Sequence, residues 1–315
     1  MGKPFFDLTS EQGVLRLSIA VTLFIALIGI AFGLASGSFS IVFDGVYSLV
    51  DASMSGLSLV VVKLITSHAR AERMSRKLRE RFTMGFWHLE PMVLALNGIL
   101  LTGVALYALI NAASSLLEGG RDLEFGVALV YAVVTVCACL AIAIAEARAN
   151  RKIGSDFVRM DVKGWVMSAS ITAALLVAFC VGYLVQGTQW AWISPYIDPA
   201  VLALVCLVII PLPMSVVRQA LSEMFLVTPG DLKQHVDDVA QAFVAQHGLQ
   251  SYRAYVAKVG RSREIELYFI VPATMAARTI AEWDALRDEI GNAIGGEGPD
   301  RWLTVVFTGD PEWAE

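Results

Sequence analysis

The chain has 315 residues, 56% of them hydrophobic and 17% charged, with a formal net charge of −5. Soluble globular proteins are about a quarter charged, so this composition argues against a soluble enzyme or a nucleic-acid binder and makes a lipid bilayer the expected solvent. The net charge mixes an acidic C-terminal stretch with basic loops and points to no partner by itself.

The N-terminal segment MGKPFFDLTSEQGVLRLS has no short apolar core ahead of a small-residue cleavage site, so a retained first helix is expected rather than a removable signal peptide. Apolar runs recur at roughly 12–36, 40–66, 90–116, 125–147, 164–186 and 197–217. Each is near or above the roughly 20 residues that cross a hydrocarbon core, which predicts six transmembrane helices. Arg70, Arg73, Arg76, Lys77, Arg79 and Arg81 crowd between the second and third runs, and Arg148, Arg151, Lys152 and Arg159 follow the fourth. Basic loops remain on the cytoplasmic side. The acidic LEGGRDLEFG and the Trp- and Tyr-bearing QGTQWAWISPYID are then external, and six crossings leave both termini in the cytoplasm. Pro211 and Pro213 stand where the sixth helix should stop.

After Arg218, charged residues return at the density of a soluble protein. DLKQHVDDVAQAFVAQHG has helical apolar spacing and a Gly stop, YRAYVAKV and REIELYFIVP read as strands around the turn GRSR, ARTIAEWDALRDEIGNAIGG is a second amphipathic helix, and RWLTVVFT a third strand. The predicted organisation is an all-α six-helix transmembrane domain over residues 1–218, followed over 219–315 by a small cytoplasmic α+β domain of α-β-β-α-β, ferredoxin-like order. Cys137, Cys139, Cys180 and Cys206 all fall in apolar spans, where thiols act as small buried hydrophobes, so neither disulfides nor a thiolate metal cage is expected. The soluble domain shows no Gly-rich phosphate loop, Cys/His pair or catalytic constellation, and neither a cofactor nor an enzyme is expected.

The second span contains FDGVYSLVD, residues 43–51. Offsets of three and seven put Asp44, Tyr47 and Asp51 on one helix face. An ionisable group at mid-membrane costs roughly 2.5–3.5 kcal/mol on insertion scales and generally lines a pathway or finds a partner. Asp51, about eleven residues into the span with no cation across 40–62, is the strongest candidate for ion or proton handling. Tyr47 reads equally as a ligand or as a phenol bonding a neighbour, and Asp44, nearer the outer boundary, as a ligand or a solvated carboxylate. In the fifth span, RMDVKGWVMSASIT, Asp161 begins the predicted helix, where capping alone would explain a carboxylate. Ser168 lies on the same face and is also common as an interhelical hydrogen bonder. The pattern from Asp44 to Asp51 is echoed from Asp161 to Ser168, so facing helices with these sets would enclose one ion.

SGSFSIVFDGVYSLVD, FTMGFWHLEPMVLALNGILLTG, VRMDVKGWVMSASITAALL and WISPYIDPAVLALV, which carries Asp198 and Pro199, together resemble the second-, third-, fifth- and sixth-helix segments of the cation diffusion facilitator family. Members are proton-coupled exporters of divalent transition metals with six spans and a cytoplasmic α-β-β-α-β domain that dimerises. The resemblance implies a mid-membrane metal held by Tyr47 and Asp51 from the second helix and by two residues of the fifth: either Gly164 and Ser168 or, three residues earlier, Asp161 and Trp165. The fifth helix thus departs from the His and Asp that are usual there. Phe82 and Phe86 replace loop histidines, and Thr308 with Asp310 stands where a His-x-Asp-Pro ending is common. His88 is expected to join Glu90 in a charge network, and His235 and His247 to be surface residues.

The implied function is export of a divalent cation (zinc, manganese, iron or similar) in exchange for protons, by a homodimer in a bacterial inner membrane. The ion meets Asp161, sits at Asp51, Tyr47 and Ser168, and leaves past Asp44. Carboxylate and hydroxyl oxygen favours harder ions than zinc. A transport-silent or metal-responsive partner subunit, for which Gly164 and Ser168 speak, and a monovalent cation/proton exchanger are the alternatives.

Overall fold

A computed structural model describes residues 11–69, 80–83, 85–153 and 156–315. The basic cluster Arg70, Arg73, Arg76, Lys77 and Arg79 and the first ten residues lie outside the described residues. The helices are α1 (Glu11–Ser36), α2 (Phe39–Ala69), α3 (Leu89–Leu117), α4 (Phe125–Ile153), α5 (Asp156–Val185), α6 (Ser194–Ile209), α7 (Met214–Met224), α8 (Gly230–His247) and α9 (Ile280–Ile294). Three strands accompany them: β1 (Ser251–Val259), β2 (Ser262–Ile270) and β3 (Arg301–Thr308). Among the described residues six stretches are long and apolar enough to cross a membrane: Gly13–Ser36, Phe39–Ile65, Leu89–Leu117, Phe125–Ile153, Asp161–Val185 and Ala191–Met224. They coincide with the six apolar runs, because at 1.5 Å per residue a run of about 20 residues matches the roughly 30 Å of hydrocarbon. The protein therefore has the expected fold class, six membrane-spanning helices followed by a small three-stranded α+β domain.

Contacts divide the chain into two compact units, residues 1–57 with 96–216, and residues 58–95 with 217–315. In the first unit, α1 and α2 touch through glycine. A Cβ on Gly45 would lie 2.7 Å from the Ala26 carbonyl oxygen, and one on Gly33 would lie 2.6 Å from the Val42 nitrogen. Small residues let membrane helices approach this closely, and dispersion then replaces the missing hydrophobic drive. Asp198, 2% exposed, fastens the start of α2: its Oδ1 accepts from Ser38 Oγ at 2.6 Å and its Oδ2 from the Phe39 N–H at 3.0 Å. A carboxylate placed there satisfies donors that the first turn leaves unpaired. The core behind it gathers Ile41, Phe125, Tyr131, Leu175 and Phe179 from α2, α4 and α5. Helix α6 ends at Ile209, and the stretch with Pro211 and Pro213 separates it from α7.

Asp161 lies five residues inside α5, which starts at Asp156, so the expectation that it begins the helix and caps it is wrong. The apolar run starts near Asp161, but the helix extends a further turn into the polar segment before it.

In the second unit the sheet order is β1-β2-β3, with β1 antiparallel to β2 and β2 parallel to β3. Helices α8 and α9 bury Val236, Phe243, Leu286 and Ile290 against Val256, Ile265, Leu267 and Phe269 of the sheet. Gly248 at φ +64° stops α8, and the Thr279/Glu282 capping box starts α9. The hairpin turn is shorter than GRSR, since Ser262 and Arg263 already pair with Val259 and Lys258. Gly260 takes φ +59° and is needed there for space as well, because a Cβ would meet Glu90 Oε2 at 2.9 Å. Arg261 Nε donates to that same oxygen at 3.1 Å. Glu90 is thus paired with Arg261, whereas the expected partner His88 is exposed. Buried Glu223 of α7 accepts from Lys258 Nζ at 3.1 Å, from the Gly260 N–H at 3.0 Å and from Gln219 Nε2 at 3.0 Å.

The two C-terminal histidines are surface residues, His235 exposed and His247 half-buried, and each makes a contact there. His235 Nε2 meets the Ile294 carbonyl oxygen at 3.1 Å, and His247 Nε2 meets Glu289 Oε1 at 3.0 Å beside the Phe243 ring. Thr308 Oγ1 accepts the Asp310 N–H at 3.1 Å and Asp310 Oδ1 accepts that of Glu312 at 3.1 Å, so this pair shapes the final turn.

Candidate functional site

The first unit encloses a cavity of about 320 Å³. From α2 it is lined by Asp44, Tyr47, Ser48 and Asp51, from α5 by Asp161, Gly164, Trp165 and Ser168, and from α4 by Cys139. Every residue singled out in the second and fifth spans faces this one space. The repeated spacing explains the convergence, since residues three or four and seven apart share a helix face. Two such faces turned toward each other bring their polar side chains to one cavity, whose remaining wall is apolar and includes Ile25, Phe43, Leu202 and Ile209. Among the described residues no Lys or Arg lines it.

Asp51 is exposed to this space, with Asn97 of α3 beside it. Asp161 is near enough to act on it electrostatically. Tyr47 is half-buried, its ring 5.6 Å from that of Phe43, and its face of α2 borders the cavity. Asp44 is held: Oδ2 accepts a hydrogen bond from Tyr131 Oη at 3.0 Å, so it is not simply a solvated carboxylate. Tyr131 itself is 1% exposed, and its hydroxyl fits because Gly29 has no side chain; a Cβ there would lie 2.8 Å from Oη.

On α5, the two alternative pairs, Gly164 with Ser168 and Asp161 with Trp165, all border the cavity. Chemistry separates them. Gly164 offers no side chain, and the indole N–H of Trp165 is a donor only, spent on Ser18 Oγ at 2.9 Å. Asp161 and Ser168 remain as oxygen donors. Ser168 Oγ accepts from the Cys139 thiol at 3.8 Å. Among the described residues no group of three or more His, Cys, Asp or Glu is placed to hold a metal ion, so a bound cation would need hydroxyl, phenol, amide or water oxygens to complete its shell.

Helix α4 was absent from the expected site, yet Tyr131, Thr135, Cys139 and Glu146 are all buried along it. Their offsets of four, four and seven form a polar stripe that was present in the sequence. Glu146 adjoins the basic run ending α4 and so reads as an interfacial residue, and Cys139 reads as a small apolar one.

A model of the cation efflux transmembrane domain matches residues 15–225, about two thirds of the chain. The chain belongs to the cation efflux, or cation diffusion facilitator, family. This cation efflux protein is therefore an integral membrane protein whose substrates are metal cations, and the family is one of transporters rather than enzymes. No curated protein matches it. Within the cation efflux protein, the matched region contains all of the cavity-lining residues named above.

Proposed function

We propose that the protein exports a divalent transition-metal cation from the cytoplasm in exchange for protons, with the ion held at Asp51, Tyr47 and Ser168, met first by Asp161 and released past Asp44. The observation that carries this reading is the convergence of Asp44, Tyr47, Asp51, Asp161 and Ser168 on one cavity that no Lys or Arg lines among the described residues. A dication supplies the positive charge that such a chamber lacks. Because the ligands must be deprotonated to bind it, metal and proton compete for the same carboxylate oxygens, which is the minimal coupling an exchanger requires.

The donor set is mostly oxygen, which favours a manganese-like ion, and the Cys139 thiol beside Ser168 adds a softer donor that would admit iron or zinc. The basic residues Arg148, Arg151, Lys152 and Arg159 support a cytoplasmic α4–α5 connection and cytoplasmic termini. The α+β domain is the natural surface for homodimer assembly, and the membrane is a bacterial inner membrane.

The test is transport in proteoliposomes carrying a pH-sensitive dye, with a panel of divalent metals and with sodium and potassium. Asp51→Ala is expected to abolish metal-driven proton flux. Flux equal to that of the wild type would refute the assignment, and a response to sodium or potassium alone would make the protein a monovalent cation exchanger. A second reading draws on Gly164, which leaves a ligand position of α5 bare: a transport-silent partner subunit. Metal uptake by the purified protein alone would exclude it.

A further inference from the structure

Glu146 is 1% exposed, deep between α1, α4 and α5, and neither of its carboxyl oxygens has a hydrogen-bond partner among the described residues. Asp161 Oδ2 is buried and unpartnered as well. These two carboxyl groups face one another, and Ser18 of α1 lies against both. Among the described residues, the groups that act on Glu146 are Asp161, Ser18 and Trp165, none of them cationic. Ser18 and Trp165 lie beside this carboxyl group without a well-formed hydrogen bond to it, so its burial is costly, and setting a second carboxyl against it adds like-charge repulsion. Native structures rarely leave such atoms orphaned unless something fills the gap.

We propose that Glu146, Asp161 and the Ser18 hydroxyl form a second cation site beside the cavity, suited to a hard divalent ion of the manganese or magnesium class. Two carboxylates and a hydroxyl supply only oxygen, the donor such ions prefer. The Ser18 oxygen is positioned by the Trp165 indole, which donates to it at 2.9 Å. Asp161 belongs to both groups, since it also lines the cavity. An ion at Glu146 would therefore wait one carboxylate away from Asp51. That waiting role rests on the transport reading above; the binding itself does not.

The test uses full-length protein in lipid nanodiscs and two probes. Free Mn2+ followed by electron paramagnetic resonance gives the number of ions bound per protomer, and Tb3+ luminescence sensitised by Trp165, which borders both places, is read as the difference between wild type and Glu146→Gln. Wild-type protein is expected to bind two Mn2+ ions, Glu146→Gln one, and Asp51→Asn to keep its Tb3+ signal. Should Glu146→Gln fail to fold, Glu146→Asp, which retracts the carboxylate by one methylene, is expected to weaken the second Mn2+ by about tenfold or more. The proposal is overturned if either Glu146 variant binds both ions as the wild type does, which would leave the pair bridged by a proton only. If Asp51→Asn leaves Mn2+ binding intact while Glu146→Gln removes an ion, the transport assignment fails and this site stands.

Discussion

Tyr131→Phe removes one oxygen atom and tests whether Asp44 is a positioned part of the pathway. In the native protein Tyr131 Oη donates to Asp44 Oδ2 at 3.0 Å from a side chain only 1% exposed. Hydrogen bonds to charged groups contribute about 1.5–3 kcal/mol, and a buried partner left without its donor adds desolvation cost. The variant introduces no clash, because the lost hydroxyl points at Gly29, where there is only backbone. A stability loss of about 2 kcal/mol is expected, to be measured by unfolding in mixed micelles. Asp44 and Asp51 are seven residues apart, or roughly 10 Å along the helix axis at 1.5 Å per residue. On the proposed route past Asp44, untethering it should slow release while leaving equilibrium affinity at the proposed Asp51 site nearly unchanged. If the full 2 kcal/mol appears in the release step, turnover falls about 30-fold, since 1.36 kcal/mol is a factor of ten. Stability and turnover both equal to wild type would show that the bond does not hold Asp44. A fall in metal affinity as deep as that of Asp51→Ala would instead mean that the two carboxylates act as one site.

Two further predictions concern the second unit. Glu223 is 8% exposed and accepts three hydrogen bonds, whereas the Arg261–Glu90 pair is partly open to solvent. Glu223→Ala should therefore cost about 1.5–3 kcal/mol and Arg261→Ala less than about 1 kcal/mol, and the opposite order in thermal melts would contradict the geometry. The backbone N–H and hydroxyl of Thr279 hold the Glu282 carboxyl below its ordinary range. A depressed folded-state value means the contribution is fully present above the unfolded carboxylate value and is lost as pH falls through the folded one. Acid should thus destabilise the wild type more steeply than Glu282→Gln. Parallel pH profiles of hydrogen exchange in α9 would show that the capping box does not respond.

Much of the membrane architecture was legible because it depends on local quantities. Apolar run length against bilayer thickness locates six helices, and the spacing of Asp44, Tyr47 and Asp51 puts them on one face without knowledge of any neighbour. The α5 set was half legible: its spacing is local, but whether Asp161 caps a helix depends on where the helix begins, and polar residues ahead of the apolar run gave no sign of the extra turn. His88 and Arg261 show the same limit. Glu90 was visibly in need of a partner, but a partner 171 positions away is chosen by packing and not by sequence proximity.

What the chain determined by itself is its solvent, its helix count and the acidic face of α2, since hydrophobic transfer and helical periodicity act residue by residue. Only the tertiary structure decided that α4 contributes Tyr131, Cys139 and Glu146, that Tyr131 holds Asp44, and that the α2 and α5 faces meet in one cavity. A helix carries its periodicity within itself, but which of its faces meets which neighbour is set by close packing among several helices, and that depends on contacts no single segment contains.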